Sequence, residues 1–249
     1  MAISTNSVIH YTNNIDNLTG IIAKQGFRLK YCYEDLDIKL DIILDSALPM
    51  VSFCDIPLSE IKNHIDTYGS YGIGLSKIWA KKNGLNPVLY LEKQSNITRN
   101  LKAQLERIFE LRKNNKIDKI LENEFVNILS YCKNYERKLV RGKFDSESYR
   151  FYDEREWRYI ACEDDLNGES RIILGKIYSE NKNKFNKKIE NCYLKFNYND
   201  ISYIIVDSEN EIPEILSLLT TTYEDKCTAK ELKILSTKII TKDQIYNDF

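Results

Sequence analysis

A change in hydrophobic period is the feature that most constrains the fold of this chain. From Asn96 to Leu139, apolar residues recur every three or four positions on a charged background, which is typical of amphipathic helices. The pattern breaks at Asn114-Asn115, so it predicts a helical hairpin inserted at about 96–140. Short β-rich runs lie on both sides of this segment and do not alternate regularly with helices. The sequence therefore predicts an α+β fold with mixed short strands and a helical insertion.

The chain has no sequence signal for a domain boundary. Its 249 residues are within the range of one large domain, and its 4 Pro and 9 Gly form no linker-like stretch. We therefore expect one α+β domain over residues 1–249. The first strand is predicted at Val8–Thr12 and the last at Glu231–Thr241.

Charge limits the partners that this chain can attract. Thirty-six Lys and Arg against 37 Asp and Glu give a net charge of −1, so no overall field draws the chain to nucleic acid or to an anionic membrane. The predicted hairpin nevertheless carries a local run of basic residues: Arg99, Lys102, Arg107, Arg112, Lys113, Lys116 and Lys119. This run is either a solvated helix face or a nucleic-acid-binding patch.

Signal sequences, apolar stretches and cysteine spacing indicate the cellular compartment and the redox state of the thiols. The first residues, MAISTNSVIHYTNN, have no apolar signal region, and no later stretch is long and apolar enough to span a membrane. We expect a cytoplasmic protein with no membrane partner. Six scattered cysteines without a C-x-x-C pair predict free thiols, and no metal site is expected.

Two short segments carry candidate functional side chains. In the first strand, alternation puts His10 and Thr12 on one face, so His10 either faces a cleft or is an ordinary structural histidine. Near residue 156, the same alternation puts Glu154, Glu156 and Arg158 on a polar face, with Trp157 and Tyr159 packed on the other. That polar face is either a surface ion-pair ladder or a fixed acid in a cleft.

Four strings of this sequence resemble the AbiGi family of bacterial abortive-infection proteins. They are SVIHYT, NLTGIIAKQGFRLKYCYED, PMVSFCDIPLSEIKNHIDTYGSYGIGLSKIWAKKNGLNPVLY and YDEREWRYI. The resemblance implies a role in phage defence. It also implies that the chain is the antitoxin of its pair, with a toxin of the AbiGii type as partner.

The order of an early strand His, a central Tyr and a late strand Glu is similar to the H-Y-E pattern of ADP-ribosyltransferase folds. That resemblance implies a mixed, mostly antiparallel sheet and NAD as substrate. The implied catalytic residues are Glu156, His10 and Tyr71, and the implied cofactor-binding residues are Thr12, Tyr68, Arg158 and Glu154.

The implied roles match the chemistry of these residue types. His10 would bond the nicotinamide ribose, and Tyr68 or Tyr71 would stack on the nicotinamide. Glu156 would stabilise the oxocarbenium-like ribose as the glycosidic bond breaks. The pattern does not decide between Tyr68 and Tyr71, or between Glu154 and Glu156.

Three functions therefore remain open from the sequence. The chain is an NAD-consuming ADP-ribosyltransferase or glycohydrolase with a protein or nucleic-acid acceptor, a non-catalytic antitoxin that binds a toxin, or a nucleic-acid-binding module. The enzyme requires His10, a Tyr of 68 or 71, and Glu156 to converge on one pocket.

Overall fold

The computed structural model describes residues 4–37, 44–141 and 144–248. The chain divides into two compact units. Unit 1 comprises Met1–Leu29, Val51–Asn86 and Asn191–Phe249, and unit 2 comprises Lys30–Met50 and Pro87–Glu190. The expected single domain stays a prediction.

The helices of the described ranges are α1 (Ile15–Lys24), α2 (Lys62–Tyr68), α3 (Lys77–Lys82), α4 (Asn96–Lys113), α5 (Lys119–Ser130), α6 (Gly175–Lys188), α7 (Ile212–Tyr223), α8 (Ala229–Ser236) and α9 (Lys242–Asp248). The strands are β1 (Ser7–Thr12), β2 (Gly26–Arg28), β3 (Lys30–Leu36), β4 (Leu44–Cys54), β5 (Tyr71–Ser76), β6 (Asn86–Pro87), β7 (Leu89–Leu91), β8 (Cys132–Asn134), β9 (Glu136–Arg141), β10 (Phe144–Arg150), β11 (Glu156–Ile160), β12 (Ile173–Leu174), β13 (Tyr193–Lys195), β14 (Ile201–Val206) and β15 (Ile239–Thr241).

Unit 1 is built on strands in the order β15-β14-β5-β1. β5 is antiparallel to both β1 and β14, and β15 is parallel to β14. The carboxyl ends of β1, β14 and β15 therefore lie at the same edge. Because β5 precedes the helical segment and β14 follows it, strands from both sides of that segment pair with each other. An aliphatic cluster around Ile9, Ile65 and Ile205 is buried in this unit.

Helix α1 ends on a left-handed residue that is not a glycine. Gln25 takes the left-handed conformation, with φ 49°, and its N–H bonds the carbonyl oxygens of Ile21 and Ile22. Gly26 instead starts β2 and pairs with Lys195 of β13. A β-carbon on Gly26 would lie 3.1 Å from the Leu194 carbonyl oxygen, so the glycine permits this close strand pairing.

Unit 2 contains the predicted helical hairpin, α4 and α5. The hairpin packs Leu105 and its apolar neighbours against Leu91 and Cys132. The helical part ends at Ser130, earlier than the apolar spacing suggested, because Cys132–Asn134 forms the strand β8 in parallel with β7. Residues 136–141 then begin a β-hairpin with β10. Cys132 is buried through strand pairing and not on a helix face.

The predicted α+β class with mostly antiparallel pairing is confirmed: β14–β15 and β7–β8 are parallel, whereas β1–β4, β1–β5, β3–β4, β12–β4, β14–β5, β13–β2 and β10–β9 are antiparallel. The predicted last strand over Glu231–Thr241 is wrong in its first part, where α8 lies. All six cysteines are free thiols. Within the described ranges, no helix has the length and apolarity needed to cross a membrane.

Candidate functional site

Strand β11 presents its charged face to the interior of unit 2. Glu156, Arg158 and Ile160 are buried, whereas Trp157 and Tyr159 are only half-buried. The predicted alternation is present. However, the charged face is buried, whereas the sequence predicted that the aromatic face would be buried. Arg158 has an exposed fraction of 0% and Glu156 of 5%, so these charges need partners within the unit.

Those partners come from three other segments of unit 2. Arg158 donates through Nε to Glu156 Oε1 at 2.6 Å and through Nη2 to Glu34 Oε2 at 2.9 Å. The Lys133 ammonium donates to Glu154 Oε2 and to Glu156 Oε2, each at 2.7 Å. We call Glu34, Lys133, Glu154, Glu156 and Arg158 the Glu156 network.

Backbone groups and an aromatic residue complete its surroundings. Arg158 Nη1 donates to the Ser130 carbonyl oxygen at 3.1 Å, and the Glu156 N–H donates to the Tyr90 hydroxyl at 2.8 Å. Lys133 Nζ lies 4.7 Å from the centre of the Phe151 ring. The network thus joins β3, β8 and β11 through charge-assisted hydrogen bonds.

Electrostatics keep Glu156 and Lys133 ionised. Burial raises the pKa of Glu156, but the charges of Arg158 and Lys133 and the hydrogen bonds from both outweigh burial and hold that pKa well below its ordinary value. For Lys133, burial lowers the pKa, and the carboxylates of Glu156 and Glu154 reverse this, so its pKa is raised. Such groups carry fixed charges at neutral pH and do not exchange protons there. This disfavours Glu156 as a general acid or base.

His10 lies in unit 1, packed among aromatic rings. Its ring centre lies 5.1 Å from that of Phe27 and 5.7 Å from that of Phe53. Nδ1 lies 2.8 Å from the Ser52 carbonyl oxygen. A carbonyl oxygen only accepts hydrogen bonds, so Nδ1 carries the proton, and in the neutral ring Nε2 is an acceptor.

Thr12 and Tyr71 are brought together at the edge of unit 1 where β1 ends. They are directly opposite each other in the antiparallel β1–β5 pair. The Tyr71 hydroxyl donates to Glu211 Oε1 at 2.7 Å. Burial, then the hydrogen bond and charge of Glu211, raise the pKa of Tyr71 to about 12. Thr12 Oγ1 accepts a hydrogen bond from Asn17 Nδ2 at 2.9 Å.

The candidate residues thus fall into two groups. Unit 1 holds His10, Thr12, Tyr71 and Tyr68, the last of which ends α2. Unit 2 holds Glu154, Glu156 and Arg158 in the Glu156 network. The convergence of His10 and Glu156 on one pocket stays a prediction. Within the described ranges, no group of three or more His, Cys, Asp or Glu residues is placed to hold a metal ion.

Sequence reasoning missed Glu34, Lys133 and Glu211. Glu34 and Lys133 lie 124 and 23 residues from their partners on β11, a separation across which periodicity gives no information. Glu211 does have a local signal: with Ser208 it forms a capping box, in which its Oε2 accepts the Ser208 N–H.

Comparison with known proteins identifies the family. A family model described as "Putative abortive phage resistance protein AbiGi, antitoxin" matches residues 25–207. The chain is also 28% identical over 265 aligned positions to the abortive phage resistance protein AbiGi of Lactococcus lactis subsp. cremoris, covering 96% of this chain and 98% of that protein. No solved structure matches it. Since the family model covers well over half of the sequence, this chain belongs to the AbiGi family of abortive phage resistance proteins.

Proposed function

We propose that this chain acts as the antitoxin of an abortive-infection pair by binding a toxin protein, and that it does so without consuming NAD. The observation that carries this proposal is the state of Glu156. Its Oε1 accepts from Arg158 and its Oε2 accepts from Lys133, inside unit 2. The antitoxin description of the matching family supports the same function.

A carboxylate that assists NAD cleavage has to face the ribose as positive charge develops there. For Glu156 to do so, its carboxylate would have to leave two cations in a buried environment. Breaking a buried ion pair in this way is strongly unfavourable, because it leaves uncompensated charges. In the antitoxin proposal, the Glu156 network instead holds together the strands of unit 2.

The test combines toxin binding with NAD turnover. The full chain is co-expressed with the AbiGii-type protein, and we expect a stable complex and relief of toxin-induced growth arrest. The purified chain, alone and in that complex, should leave NAD intact. NAD turnover by the wild type that is lost in a folded Glu156→Gln variant would contradict the proposal.

A second proposal, NAD consumption at the edge of unit 1, is favoured by one observation. Tyr71 lies directly opposite Thr12, and His10 lies on the same face of β1 as Thr12. This arrangement supports roles for His10 and Tyr71 as the His and Tyr of the H-Y-E pattern. If NAD is bound there, Tyr71→Ala should weaken NAD binding by about tenfold or more through loss of stacking. Tyr71→Phe should bind normally, because it keeps the ring; equal NAD binding by wild type and Tyr71→Ala would contradict this second proposal.

A further inference from the structure

Helix α5 has apolar residues over an arc that is wider than the part of the helix that packs. One side packs Phe125 and Leu129 against the buried cluster of α4, β7 and β8. Beside it, the exposed fractions are 67% for Ile120, 47% for Leu121 and 54% for Ile128. At about 100° per residue, these three side chains fall within one arc of the helix, which we call the α5 apolar face.

Such a face is unusual on a helix that is already packed. Single exposed apolar residues are ordinary, but clustered ones mark an interaction surface. A surface helix ordinarily buries its apolar stripe and presents polar residues to solvent. Here the α5 apolar face is exposed within the described residues, and it contains one charged residue, Glu124.

The charge around this face limits what can cover it. Residues 96–119 carry seven Lys or Arg against three Asp or Glu, although the whole chain has a net charge of −1. Lys113, Lys116 and Lys119 are exposed where the hairpin turns into α5. An acidic partner is therefore attracted to this end of the hairpin.

A second copy of this chain fits poorly. A two-fold interface would bring together two patches with the same excess of basic residues, and neither copy would supply the acidic counterpart. Nucleic acid matches the charge but not the apolar side chains, since bases stack on aromatic rings and the face is aliphatic.

We propose that the α5 apolar face is the docking surface for the toxin, and that the toxin covers it with apolar side chains bordered by acidic ones. This inference rests on the proposed antitoxin function. Burial of the aliphatic centre away from water provides affinity. The basic rim orients the partner and accelerates association.

The experiment measures the Kd of the full chain for the AbiGii-type protein. The double variant Ile120→Glu/Ile128→Glu removes the centre of the face, and Lys116→Glu/Lys119→Glu reverses its rim. The matched controls are Ile78→Glu/Ile234→Glu, at positions 82% and 51% exposed on α3 and α8, and Lys182→Glu/Lys184→Glu on α6. Circular dichroism and thermal melting verify that each variant is folded.

We expect the apolar double variant to bind about 30-fold more weakly or worse, and the control variants to stay within about twofold of wild type. The rim variant should bind more slowly and lose most of its dependence on salt. If the apolar double variant and the rim variant both bound the toxin like wild type, the docking surface would be overturned and the antitoxin function would remain intact. Failure of the wild-type chain to bind the AbiGii-type protein would overturn both.

Two other results would also overturn this inference. Light scattering could reveal a wild-type dimer that the apolar variant dissociates without losing toxin binding, which would make the face a contact between copies. Alternatively, the rim variant could lose binding to a mixed-sequence single-stranded RNA and keep toxin binding, which would assign the hairpin to nucleic acid.

Discussion

Arg158 is a full positive charge with no exposed surface, and its neighbours explain how unit 2 accommodates it. Two cations and three carboxylates share this interior, so no cation is left uncompensated. Replacing such a network with apolar residues is often neutral, but removing one member is costly, because its partners remain charged. We therefore expect substitutions in the network to lower the stability of the folded chain, whether or not the network has a chemical role.

The first prediction concerns the stability of a Glu156 variant. Glu156→Gln should lower the free energy of unfolding by about 3 kcal/mol, because Arg158 and Lys133 lose their shared negative charge. Urea denaturation measures this change. The control is Glu147→Gln, whose ion pair with Lys138 lies at the surface and should be worth less than about 1 kcal/mol. Equal denaturation midpoints for the two variants would contradict a stabilising role for the network.

The second prediction follows from the lowered pKa of Glu156. The folded pKa lies below the unfolded value of about 4.3, so the stabilisation is fully present above that value and is lost as the pH falls through the folded pKa. The stability difference between wild type and Glu156→Gln should be constant from about pH 5 to 8. It should shrink below about pH 4. A difference that grows on acidification, measured by urea denaturation at each pH, would refute this assignment of the shift.

At the scale of elements, the turn between α2 and β5 depends on one glycine. Gly69 has φ +116°, and a β-carbon there would lie 2.4 Å from the Thr12 carbonyl oxygen. The turn therefore passes against the end of β1, beside the pair formed by Thr12 and Tyr71. Only a residue without a side chain permits this approach.

The third prediction is that Gly69→Ala destabilises the chain by about 3 kcal/mol or more, through the backbone clash together with the strained φ. Gly84→Ala is the matched control. Gly84 also has a positive φ, of +72°, but open space surrounds it, so only the conformational penalty of about 1 kcal/mol applies. Thermal or urea denaturation compares the two variants. Similar losses of unfolding free energy in both variants would show that residue 69 does not pack tightly against β1.

The elements that the sequence predicted well are those with a local signal. The hairpin of α4 and α5 follows from its apolar spacing, and β1 and β11 follow from β-rich composition. The prediction of a strand over Glu231–Thr241 overlooked a local signal. Thr228 and Glu231 form a capping box that starts α8. The end of that strand was predicted correctly, since Ile239–Thr241 does form β15.

What the sequence could not predict depends on distant partners. Alternation along β11 separates its two faces but does not state which one is inside. A burial rule based on hydrophobicity puts Trp157 and Tyr159 inside, whereas Lys133 and Glu34 make it feasible to bury the charged face instead. The parallel pairing of β8 with β7, which ends the helical hairpin early, likewise comes from residues far apart in the chain.

At the scale of the whole molecule, the chain passes between its two units four times. Neither unit is one continuous segment, and β4 begins in unit 2 and ends in unit 1. Independent domains usually have boundaries that few segments cross. The expected single domain stays a prediction, and on it we expect both units to unfold together.

The two tryptophans allow a direct test, because Trp79 lies in unit 1 and Trp157 in unit 2. In Trp157→Phe, fluorescence reports on unit 1 alone, and in Trp79→Phe it reports on unit 2 alone. If the units form one cooperative domain, the fluorescence transition of each variant in urea should coincide with the transition of the same variant measured by circular dichroism. Comparison within one variant removes any effect of the substitution on overall stability. Fluorescence transitions that precede the loss of secondary structure in one variant and follow it in the other would instead establish two domains that unfold separately.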